Sequence, residues 1–198
     1  DAQGRLLYEP EEALDFYLDT LQAAGVRLLL DTSVATVQRA GSRLESVTAL
    51  TRGGMRAFTA KLYIDATGDG QAAFLAGVPF TLGREADHGM QPMSMMVTVG
   101  GVDPAQAEHV TFGMRPEWQA LLSEQVARGL VPAPAGHVIL IPGPQPGHVT
   151  LNMTNCTDVD GSDPEAYTKA QLLCRSQVRP LLRFLREHIP GYENAYRV

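Results

Sequence analysis

Apolar residues at Leu14, Tyr17, Leu18 and Leu21 recur at helical spacing, and this predicts a helix over residues 9–24. Pro10 suits its first turn, Glu11 and Glu12 place negative charge at its start, and Gly25 can end it. The apolar run Val26 to Leu30 then reads as a short buried strand. Three extended stretches follow: Val34–Arg39, Arg43–Thr51 and Met55–Ala60. They are separated by turn signals at Ala40-Gly41-Ser42 and Arg52-Gly53-Gly54, and together predict a three-stranded antiparallel meander. Leu62-Tyr63-Ile64 reads as a central strand, and Gln71–Ala76 as a short helix closed by Gly77.

The pattern changes near residues 80–90. Met93, Met95, Val97 and Val99 alternate as in a strand, which Gly100-Gly101 ends. Pro116–Arg128 predicts a helix with Trp118, Leu121, Leu122 and Val126 on its apolar face. His137–Ile141 and Val149–Met153 read as further strands. Asp163 caps a long helix to about His188, which Pro180 is expected to kink or interrupt, and Pro190-Gly191 ends it. Tyr192–Val198 shows no clear closing element. The fold class is therefore mixed α/β, with a first domain over 1–85 and a sheet-and-helix lobe over 86–198.

The chain has 198 residues, 44% hydrophobic and 19% charged, which suits a folded protein. Its net charge of -6, with no basic patch, argues against a nucleic-acid surface. No apolar run reaches the ~18 residues that span a bilayer. Cys156 and Cys174 form no ligand motif and fit a reducing, cytoplasmic compartment. His88, His109, His137, His148 and His188 share no metal-ligand spacing, so no metal site is assigned. Arg175, Arg179, Arg183 and Arg186 lie at helical spacing, as a solvated face does. No catalytic base is legible.

The chemistry concentrates in Asp65-Ala66-Thr67-Gly68-Asp69-Gly70, a glycine-containing turn between a strand and a helix. Glycines at 68 and 70 would let a ligand approach the backbone, and the following helix start would offer N–H groups to a phosphate. Gly68-x-Gly70-x-x-Ala73 also formally matches a nicotinamide-dinucleotide pattern, a reading that requires a parallel strand–helix–strand unit after residue 65. A connection without any ligand remains open.

A meander followed by a strand ending in Ala-Thr-Gly resembles the FAD-dependent oxidoreductases of the glutathione-reductase-like class. The likeness continues through Tyr8–Leu14, Ala24–Leu30, Ala76–Phe80, Gly83-Arg84-Glu85 and Met90–Met95, and more weakly through Asn152-Met153-Thr154 and Pro190-Gly191-Tyr192. It implies a partial FAD-binding domain and a substrate-type lobe. It places Ala66, Thr67, Gly68, Asp69 and Gly70 beside the flavin nucleotide, Val34 against the adenine through its backbone, and His88 or Gln91 toward the flavin or substrate. The family's GxGxxG strand would lie before residue 1 and its last flavin-contacting segment after residue 198. The resemblance thus implies a fragment of an FAD-dependent oxidoreductase acting on a small molecule, which binds FAD poorly alone and can homodimerise. A non-catalytic interaction module with no flavin is the rival reading.

Overall fold

The computed structural model describes residues 8–198; residues 1–7, where the expected first domain begins, lie outside them. The chain is mixed α/β, with four helices and two antiparallel sheets among the described residues. Its compact units among the described residues are Leu14–Leu82, and Gly83–Val198 together with residues 8–13.

α1 (Pro10–Ala23), which belongs to the Leu14–Leu82 unit from Leu14 on, leads to the meander β1 (Ser33–Ala40), β2 (Arg43–Thr51) and β3 (Gly54–Phe58). The strands pair in order β1-β2-β3, all antiparallel. Cross-strand registers set Val37 against Val47 and Val47 against Phe58, with Val34 opposite Ala49. One face of the meander is therefore apolar, because side chains repeat with period two. The short helix α2 (Gln71–Leu75) follows.

Two expected strands of this unit do not form. Val26–Leu30 and Leu62–Ile64 form no strand, and Leu30, Leu62 and Ile64 are 72%, 75% and 83% exposed. A strand exists only through a neighbour that takes its N–H and C=O groups, and neither stretch has such a ladder among the described residues. This unit accordingly buries few apolar side chains, Ala49 and Ala76 among the described residues.

The Gly83–Val198 unit is built the opposite way. β4 (Val97–Gly100), β5 (Leu140–Pro142), β6 (Val149–Leu151) and β7 (Tyr196–Arg197) form an antiparallel sheet in the order β5-β6-β4-β7. The expected strands around Met93–Val99, His137–Ile141 and Val149–Met153 are real but shorter. Gly100 is the last residue of β4, as expected, and it pairs with Tyr196 of β7. β7 is the closing element that the sequence pattern does not announce.

α3 (Pro116–Ala127) and α4 (Pro164–His188) complete this unit. Val99, Leu140, Val149, Leu151, Leu181, Leu185 and Tyr192 share one core with Leu122 of α3. α4 runs through Pro180 without interruption. Proline removes the N–H that would reach the carbonyl of Ser176, but Ser176 is exposed, so water can satisfy that carbonyl. Next to it, fully buried Gln177 fixes the helix. Its amide nitrogen donates to the carbonyls of Pro132 (3.1 Å) and Asn155 (2.9 Å), and its oxygen accepts from the Asn155 N–H (2.8 Å).

Candidate functional site

The Asp65–Gly70 turn is organised by a residue that the sequence pattern does not single out. The carboxylate of Asp65 accepts from the Thr67 N–H (3.0 Å), the Thr67 hydroxyl (2.6 Å) and, through its other oxygen, the Ala73 N–H (2.8 Å). Thr67 Oγ1 in turn accepts from the Gln71 N–H at 2.7 Å. Gly70 adopts a left-handed conformation, φ 64°, and its carbonyl accepts from Phe74 N–H. That backbone suits glycine, which has no Cβ to clash. The hydrogen bond from the Thr67 hydroxyl, then those from the Ala73 and Thr67 amides, hold the Asp65 carboxyl below its ordinary range.

This wiring changes what the turn can offer. The amides of Gln71 and Ala73, which would face a phosphate at the start of α2, are taken by Thr67 and by an anionic carboxylate. The backbone N–H groups of Gly68 and Asp69 have no acceptor among the described residues. A Cβ built on Gly68 meets nothing within 4 Å, and its φ is not in the left-handed region, so the fold itself does not require glycine there. The donor set and the open cradle at Gly68 fit a ligand that lies against this backbone.

Beside the turn opens a largely apolar cavity of about 710 Å³, contained within the Leu14–Leu82 unit. Val34, Asp65 and Thr67 all line it, together with Val47 and Phe58 of the meander and Ala73 of α2. Tyr63 fastens its wall: the phenol donates to the Glu45 carbonyl (2.9 Å) and accepts from the Ala60 N–H (3.0 Å). Of the residues expected from sequence, Val34 and Thr67 share the cavity. Ala66, Gly68, Asp69 and Gly70 do not line it. Val34 sits at a register shift of the β1–β2 ladder. The Asx turn from Asp65 to the Thr67 amide is local, but its bond to the Ala73 amide spans eight residues, which no local pattern shows.

His88 and Gln91 belong to the other compact unit. His88 is exposed with φ 56°, in a loop closed by the two-pronged Arg84–Asp87 pair (2.8 and 2.7 Å). Among the described residues no group of three His, Cys, Asp or Glu side chains could hold a metal ion, and no helix is long and apolar enough to cross a membrane.

The nicotinamide reading of Gly68-x-Gly70 fails on topology. Every strand pair is antiparallel, and no strand lies between α2 and β4. The parallel unit it requires is absent from the described residues.

Comparison with known proteins agrees with the flavin reading. No curated protein and no solved structure matches the chain. The family model described as FAD dependent oxidoreductase matches residues 1–198. By that match over its whole length, the chain belongs to the FAD dependent oxidoreductase family.

Proposed function

We propose that this chain is part of a longer flavoenzyme of the glutathione-reductase-like class, in which the Ala66–Gly70 turn and the backbone of Val34 contact FAD. The observation that carries this reading is the turn itself: two backbone donors without acceptors, an open cradle at Gly68, and Val34 and Thr67 on one cavity. FAD would supply the redox chemistry toward a small-molecule substrate, while Ala66, Thr67, Gly68, Asp69, Gly70 and Val34 bind and orient it. The bare apolar stretches Val26–Leu30 and Leu62–Ile64 favour a longer parent, since a strand from elsewhere in the protein would satisfy both. The free, buried thiols of Cys156 and Cys174 are in keeping with a cytoplasmic setting.

The test is an FAD titration of this chain beside one extended upstream, followed by flavin fluorescence and absorbance. Uptake by the extended chain, with weak or no uptake by residues 1–198, supports the reading. If neither takes up FAD, the residues do not form a flavin site and the interaction-module reading takes its place.

These uncovered apolar side chains, with Leu14, Tyr17 and Leu21 of α1, favour homodimerisation of the isolated chain. Gel filtration over a wide concentration range should show a dimer growing in. A strict monomer at the highest concentration would contradict it.

A further inference from the structure

We propose that Asp65 is the positioning residue of the flavin-facing turn, fixing the direction of the Gly68 and Asp69 amides without touching the cofactor. This rests on the reading given above that the turn contacts FAD. One carboxylate oxygen holds both the amide and the hydroxyl of Thr67, and the other holds the Ala73 amide of α2. The segment Ala66–Gly70 is therefore clamped at both ends by a single side chain. Thr67 relays the clamp to Gln71 through its own hydroxyl oxygen. Beyond that Thr67–Gln71 bond, little within the turn restrains Gly68 or Asp69: the Gly68 flank is open, and the one backbone bond across the turn, Gly70 N–H to the Thr67 carbonyl, is long at 3.3 Å. Without the carboxylate, the two donors would have to be ordered by the ligand at the moment of binding, and affinity would fall by that ordering cost.

The geometry also separates the two oxygens. Asp65→Asn retains an oxygen for Thr67 but turns an NH₂ group toward the Ala73 N–H, so one end of the clamp is lost. Asp65→Ala loses both ends. Asp65 is exposed, so neither change opens a cavity.

The experiment uses the full-length protein, its Asp65→Asn and Asp65→Ala variants, and three readouts: amide hydrogen exchange at Gln71 and Ala73, the FAD dissociation constant, and the melting temperature of the flavin-free protein. The expected order of FAD affinity is wild type, then Asn, then Ala, with Ala weaker by about tenfold, the scale of a charge-assisted hydrogen bond. Exchange should accelerate at Ala73 in both variants and at Gln71 chiefly in Ala, while the melting temperature falls too little to account for the loss of affinity. Wild-type FAD affinity in the Ala variant, with exchange accelerated, overturns the positioning role and leaves the flavin site standing. Unchanged exchange overturns it as well, since the clamp would then not be Asp65. A melting temperature that falls in step with affinity assigns the loss to folding and also overturns it. Failure of the wild-type protein to bind FAD removes the flavin site, and this inference with it.

Discussion

At the scale of single residues, charge and burial make opposite demands at Asp65 and Tyr192. The Thr67 hydroxyl is the main reason the Asp65 carboxyl titrates below its ordinary 3.8. Thr67→Val should therefore raise that pKa toward 3.8, as read by carboxyl NMR. A folded-state pKa below the unfolded value means that the turn gains stability above the unfolded pKa. That gain is lost as pH falls through the folded one, so Gln71 and Ala73 amide protection should decline in acid. Tyr192 is fully buried, and its hydroxyl has no partner among the described residues; burial pushes its ionisation well up. Tyr192→Phe removes an unsatisfied polar atom and should stabilise the protein by about 1 kcal/mol in urea unfolding. Gln177→Leu should cost about 1–3 kcal/mol in the same assay, because it strands the Asn155 amide and two half-buried carbonyls. The sequence displays the glycines of the turn but hides its organiser. Asp65 looks like any aspartate until its distance to Ala73, eight residues on, is known.

At the scale of elements, the meander, α1, α3 and α4 were legible because each follows from local spacing and punctuation. What escaped was decided by neighbours. Val26–Leu30 and Leu62–Ile64 have the composition of strands and no ladder, so the same residues stay outside any sheet and largely exposed. β7 is the reverse case: Tyr196-Arg197 is too short to show a period, and it pairs only because β4 offers a free edge. Proline at 180 is tolerated for a similar reason, since the packing of Gln177, Val178 and Leu181 on either side outweighs one lost hydrogen bond. That cost is still present. Pro180→Ala should restore the missing donor to Ser176 and raise stability, by up to about 3 kcal/mol, the helix-interior penalty of proline. A drop in stability would mean that the ring's own packing matters more.

For the whole molecule, burial is divided unequally. The core of Gly83–Val198 holds most of the buried apolar side chains, whereas Leu14–Leu82 holds Ala49 and Ala76 among the described residues. Unfolding of the chain should therefore not be a single step: amides of β1–β3 should exchange well before those of α4 and β6. The two glycines of the turn carry the same inequality into heredity. Left-handed Gly70 answers to the fold, while Gly68, with free space where a Cβ would stand, answers to nothing inside the chain. A population of variants screened for soluble abundance alone would let position 68 drift to alanine or serine and hold position 70. Screening for retained flavin would hold both, so the difference between the two surviving populations would record what the turn is for.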